Sequence, residues 1–227
     1  MSVKKILLLG AASIAAVSAT AAVAGGYTHE PMSSGGSYYL EGHAGYARQN
    51  YLDNVRWRAS SGVNTNSANN ASGGFSGGFD AGYNFNRNYA LELGWFYLPT
   101  VNTMTGSAVP AYLKSWAAYL AGKFMVPMAW MQDTDWFFKL GVAYRSATIP
   151  AAAQSSLAVT SGNSTYWHPM FATGLDYSFS DMFSGVAQYA YFMGSDKSFK
   201  FIAVNSGALG TMAANVFTLG LAYKFTV

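Results

Sequence analysis

The sequence predicts an all-β protein: an eight-stranded antiparallel, up-and-down transmembrane β-barrel with a closed polar lumen. Three observations lead there. The composition is half hydrophobic (51%) yet only 10% charged, against roughly a quarter charged in an ordinary soluble domain. After the N-terminal apolar stretch no run reaches the length of about 18 apolar residues that a membrane helix needs. Roughly eight segments instead alternate apolar with small or polar side chains, the period of two expected of strands whose faces meet lipid and lumen. Only a closed barrel then pairs every backbone N–H and C=O inside lipid.

The N-terminus reads as an export signal. Lys4 and Lys5 precede an apolar run from Ile6 to Val17, and small residues lead to Ala22, Val23 and Ala24. Cleavage after Ala24 is expected, making 1–24 a signal peptide, 25–36 a periplasmic N-terminal segment and 37–227 the barrel. A retained helical anchor fits less well, because the run dissolves into Ala, Ser and Thr without flanking anchor residues. The signal holds two of the thirteen basic residues, leaving eleven against ten acidic ones. No Lys/Arg run follows it, so neither a nucleic-acid surface nor a polybasic lipid patch is expected. The absence of cysteine excludes a disulfide framework, a thiolate metal site and a lipidated N-terminal Cys.

The strands are expected near 37–49, 73–86, 88–98, 114–127, 136–147, 166–179, 182–194 and 215–225. A tight Asn86, Arg87, Asn88 turn, a Pro127 to Asp135 segment and a Ser180, Asp181 turn close one side. Four longer loops, near 50–72, 99–113, 148–165 and 195–214, lie on the other. Outer-membrane barrels have short periplasmic turns and long external loops, which puts both termini in the periplasm. Leu91, Leu93, Trp95 and Tyr97 fall on one face of the third strand, Glu92 and Gly94 on the other. Phe79, Ala81, Tyr83 and Phe85 likewise oppose Asp80 and Asn84; Leu140, Val142 and Tyr144 oppose Lys139 and Arg145. A soluble sandwich would reverse the balance, with its outward face polar. Trp95, Trp116, Trp136, Trp167 and Phe225 are expected near strand ends, as interfacial girdles. The run Gly73 to Gly78 lacks the Lys-Ser/Thr pair and helix start of a phosphate loop, and reads as a strand where glycine permits close approach.

On the inward faces, Glu92, Lys123, Lys139 and Asp176 fall at one depth on consecutive strands. In a narrow lumen unpaired charges are costly, so pairing across neighbouring strands is expected. Glu41, His43, Asp80 and Lys224 extend this polar network. A gate or filter and a plug are both consistent with such a cluster. The plug is favoured, because eight strands leave an interior that side chains fill.

The order and spacing of several stretches resemble a known family. They are Gly82, Tyr83, Asn84, Phe85, Asn86 followed by Leu91, Glu92, Leu93, Gly94, Trp95, and Pro169, Met170, Phe171, Ala172 followed by Gly174, Leu175, Asp176, Tyr177. The resemblance is to the transmembrane domain of OmpA-like outer-membrane proteins, over nearly the whole chain after the signal. It implies the outer membrane of a Gram-negative bacterium, with lipid and lipopolysaccharide as surroundings. Thr218, Gly220, Tyr223 and Phe225 resemble the C-terminal signal read by the barrel-assembly machinery, which implies that machinery and periplasmic chaperones as partners. The chain departs from the pattern in three ways. Nothing like the family's periplasmic peptidoglycan-binding domain is expected after Val227. Val186 and Gln188 replace inward charges, and two residues follow Phe225.

No enzymatic activity, cofactor or metal site is expected. Small barrels similar to this one include lipid A-modifying enzymes, which need a His with a Ser and a carboxylate. His168 is followed by Pro169 and Met170, Ser164 falls in a loop, and Asp176 is expected deep and inward. His29, His43 and His168 have no metal-ligand spacing. The expected function is a structural role in membrane integrity, with surface loops for external, adhesin-like contacts to a host surface. A narrow low-conductance porin and a lipid A-modifying enzyme are the alternatives. The protein is expected to be a monomer.

Overall fold

The computed structural model describes residues 36–50, 72–102, 112–131, 133–149, 162–200 and 208–226. The expected signal peptide, most of the N-terminal segment and parts of all four expected loops lie outside them. Ten strands are present among the described residues: β1 (Ser37–Asn50), β2 (Ser72–Asn84), β3 (Tyr89–Asn102), β4 (Tyr112–Pro127), β5 (Thr134–Thr148), β6 (Asn163–Ser178), β7 (Phe183–Phe192), β8 (Ser195–Lys200), β9 (Ala208–Thr211) and β10 (Ala213–Thr226). Eight of them close a barrel in the order β1-β10-β7-β6-β5-β4-β3-β2, with β8 and β9 forming a separate two-stranded sheet. Every barrel pairing is antiparallel, and β1 joins β2 on one side and β10 on the other. Closure leaves the barrel itself no unpaired strand edge. No helix among the described residues is long and apolar enough to cross a membrane.

The three short connections are closed by local chemistry. Asn86 Oδ1 accepts from the backbone N–H of Asn88 and Tyr89, both at 2.9 Å, so the side chain does the work of a turn carbonyl. Ser180 Oγ accepts from the Phe183 N–H at 3.0 Å. Between β4 and β5, Asp133 takes φ 60°, a left-handed conformation that Asp tolerates, and its carbonyl accepts from the Ser178 N–H at 2.8 Å. These turns define a turn end of the barrel. The other, loop end carries the β8–β9 hairpin. Both of its strands fall inside the 195–214 stretch expected to be one of the longer loops. The β3–β4 register shifts between Leu98 and Val101, at Pro99, whose missing N–H cannot continue a ladder.

Burial is inverted relative to a soluble domain. Leu219 is 71% exposed and Leu93 60%, whereas Asp80, Glu92 and Lys139 are fully buried. Such an outer wall is stable only against an apolar surrounding. Trp116, Trp136, Trp167 and Phe225 are exposed on this wall near strand ends. Trp95 is not: it lies in the middle of β3, ring-stacked on Phe79 at 5.8 Å. Its indole fits against the neighbouring strand rather than a boundary between water and lipid.

Candidate functional site

The lumen holds the polar chemistry of the described residues, and strand parity puts it there. Glu41 and His43 share a face of β1, two residues apart, and Glu41 is the register partner of Asp80 on β2. Glu92 on β3 and Lys139 on β5 point into the same space. Lys139 Nζ lies 2.5 Å from Glu92 Oε1 and 3.3 Å from Asp80 Oδ2. The hydroxyls of Tyr39 and Tyr119 each donate to Glu92 at 2.6 Å, so that carboxylate has three donors. His43 Nε2 lies 2.8 Å from Asp80 Oδ2 and 3.1 Å from Glu41 Oε1, and its ring packs on Phe96 at 5.3 Å. Closer to the turn end, Lys123 Nζ lies 3.5 Å from Asp176 Oδ2.

The lysine ion pairs do not join adjacent strands. Lys123 and Lys139 are direct register partners across β4 and β5, an arrangement that repels when like charges stand opposite. Each ammonium instead reaches past its neighbour, Lys139 to β3 and Lys123 to β6. The buried ring of Phe137 lies between them, 4.6 Å from Lys123 Nζ and 5.1 Å from Lys139 Nζ. Its π-face attracts both cations. Glycine leaves the room these side chains need: a Cβ at Gly94 would strike Asp80 Oδ1 and the Tyr119 ring. Lys224 stands apart, at the turn end, donating to Ser178 Oγ at 3.2 Å.

Above this layer, towards the loop end, Phe96, Tyr119 and Phe192 pack ring to ring, with centroids 5.8–6.3 Å apart. Leu98, Met170 and inward alanines fill the remaining space. Higher still, Arg145 donates to the Met212 carbonyl, to Gln49 Oε1 at 2.8 Å and to Ser115 Oγ at 3.5 Å. Gln49 Nε2 in turn donates to the Pro99 carbonyl at 2.5 Å. Met212 separates β9 from β10, so Arg145 ties the base of the hairpin to the barrel wall. Sequence parity placed Arg145 inward, but its partners lie on other strands and went unrecognised. Tyr39 and Tyr119 were also missed, although each shares a strand face with an inward charge, Glu41 and Lys123 respectively.

His168 lies on β6 on the same face as Met170 and Ala172, its ring edge-on to Tyr166 at 5.0 Å. Ser164, expected in a loop, also belongs to β6. Of the C-terminal signal residues, Thr218 and Gly220 face the lumen, where Thr218 Oγ1 stands 3.4 Å from His43 Nδ1. Tyr223 and Phe225 make an edge-to-face pair on the outer wall, centroids 4.6 Å apart.

A closed eight-stranded barrel is what the comparisons with known proteins match. The OmpA-like transmembrane domain family matches residues 34–227. The chain belongs to that family. Among solved structures, this OmpA-like barrel is similar to the Neisserial surface protein A, with TM-score 0.56, 12% identity, and 84% of this chain and 99% of that one covered. It is also similar to the outer membrane protein OprG from Pseudomonas aeruginosa, with TM-score 0.51, 16% identity, and 86% and 98% covered. At these identities the likeness is one of fold. No curated protein matches the sequence. The chain is therefore an outer-membrane β-barrel of the OmpA-like type.

Proposed function

We propose that this barrel is a structural, non-conducting component of the Gram-negative outer membrane that presents its loop end to the exterior for contacts with external surfaces. The observation that carries the reading is the filled lumen. Lys139 is fully buried between Glu92 and Asp80, beneath the aromatic layer of Phe96, Tyr119 and Phe192. With both layers in place, the interior is a plug rather than a pore. The termini and short turns would then face the periplasm and the β8–β9 hairpin the exterior. The hairpin gives the loop end an ordered element to offer a host surface, which supports the adhesin-like role.

A non-enzymatic role fits the turning of His168 into the barrel beside Tyr166, away from the lipid where an acyl substrate would lie. Surrounding lipid and lipopolysaccharide, the assembly machinery that would read Thr218, Gly220, Tyr223 and Phe225, and periplasmic chaperones complete the proposed partners, with the barrel acting as a monomer. Planar-bilayer recording tests the reading. Wild type should give no resolved conductance steps. Large ion-selective steps that change when Glu92 or Lys123 is neutralised would establish the porin alternative instead.

A further inference from the structure

The carboxylates of the central layer are not evenly served. Glu41, Asp80 and Glu92 converge with a single ammonium, that of Lys139, because Lys123 is engaged with Asp176. Glu92 has Lys139 and two phenols. Glu41 is 2% exposed, and neither of its oxygens receives a hydrogen bond; Asp80 Oδ1 receives none either. Isolated buried carboxylates are strongly unfavourable unless a cation or proton meets them. Three carboxylates against one lysine leave an excess of two negative charges when His43 is neutral.

The ring of His43 stands where a cation would be held. Nδ1 faces Thr218 Oγ1 at 3.4 Å, and donation there leaves the Nε2 lone pair directed at Glu41 and Asp80. One ligand atom from each of Glu41, His43 and Asp80 lies within 4.8 Å of the others. Zinc bonds of about 2.0–2.1 Å in a tetrahedral site set ligand atoms roughly 3.3 Å apart. The present separations from Nε2, 2.8 Å and 3.1 Å, need open by only a few tenths of an ångström. Gly220, the register partner of His43, leaves that freedom: a Cβ there would lie 2.8 Å from His43 Nδ1 and 3.2 Å from Glu41 Oε1.

We propose that Glu41, His43 and Asp80 form an intramembrane binding site for a divalent first-row transition ion, with one imidazole nitrogen and two carboxylates as ligands. This donor set suits zinc or a similar borderline dication. Its two positive charges match the excess negative charge of the cluster. Because Glu41, His43 and Asp80 are all buried inside the barrel, the ion enters as the barrel folds, and its binding stabilises the folded state.

The test folds the full chain from urea into lipid micelles with either zinc chloride or EDTA, removes free metal by gel filtration, and counts zinc by mass spectrometry. Wild type should retain about one zinc ion per chain and unfold at a temperature several degrees higher than the EDTA sample. Glu41→Gln and His43→Gln should each retain less than about a tenth as much and show no such shift, while His168→Gln behaves as wild type. Two results would overturn the proposal: wild type emerging with negligible zinc, which leaves the cluster balanced by protons, or His43→Gln retaining as much as wild type. Should the cluster variants fail to give a heat-modifiable folded band, X-ray absorption at the zinc edge of the wild type decides. One imidazole in an otherwise oxygen shell supports the site; no imidazole, or two, contradicts it.

Discussion

The two halves of the lumen solve the burial of charge differently. Near the turn end, Lys123 and Lys139 are held by carboxylates on other strands, so charge answers charge across the barrel. Near the loop end, the partners of the fully buried Arg145 among the described residues are neutral, a main-chain carbonyl, an amide and a hydroxyl. The lower arrangement uses barrel strands alone and locks the closed cylinder. The upper one reaches beyond the strands to Met212 and fixes the hairpin. Delocalised and weakly hydrated, a guanidinium tolerates neutral acceptors better than an ammonium does, which accounts for arginine above and lysine below.

Substitutions that remove each cation should therefore differ in size and in place. Lys139→Met leaves Glu92 and Asp80 facing one another without their shared cation. It should cost about 3–5 kcal/mol in urea unfolding from lipid vesicles, the largest loss expected here. Leu219→Arg, in the middle of the apolar wall, serves as a reference unrelated to the lumen and should cost about 2–4 kcal/mol by the same measurement. Arg145→Met strands the neutral acceptors found among the described residues and should cost about 1–3 kcal/mol. Its signature is regional: limited proteolysis should begin to cut near β8 and β9 while the heat-modifiable barrel band persists. A loss as large as that of Lys139→Met would erase the distinction between the halves. Arg87→Ala removes an ion pair at 4.0 Å whose side chains are 41% and 27% exposed, and should change stability by less than about 1 kcal/mol.

The same contrast explains what the sequence disclosed. Period-two alternation is a local signal, so the barrel strands and the inward faces of Glu92, Lys139 and Arg145 could be read from single segments. Which charges meet depends on strand order and register, which no single segment encodes. Lys123 and Lys139 illustrate this: adjacent in register, they part to opposite sides, a result set by where Glu92 and Asp176 stand. Glu41, His43 and Asp80 were legible as inward residues, but the three histidines looked scattered. Their convergence needs both the two-residue step along β1 and the β1–β2 register. The β8–β9 hairpin escaped because its strands are short, six and four residues, and lack a sustained apolar alternation. Trp95 was misplaced because an aromatic residue on the lipid face serves equally for a girdle or for cross-strand packing.

The central claim, that the lumen is shut and the apolar wall faces lipid, is open to one direct measurement. The chain has no cysteine, so single cysteines report without background. Neighbouring positions on β6 point opposite ways: Ala172 is fully buried and Phe171 is 38% exposed. In lipid vesicles, Ala172→Cys should resist a small water-soluble thiol reagent, Phe171→Cys should react only with a lipid-soluble one, and Asp181→Cys in the β6–β7 turn should react readily with the water-soluble reagent. Reaction of Ala172→Cys at the rate of the turn cysteine would mean a water-filled channel and would contradict the account.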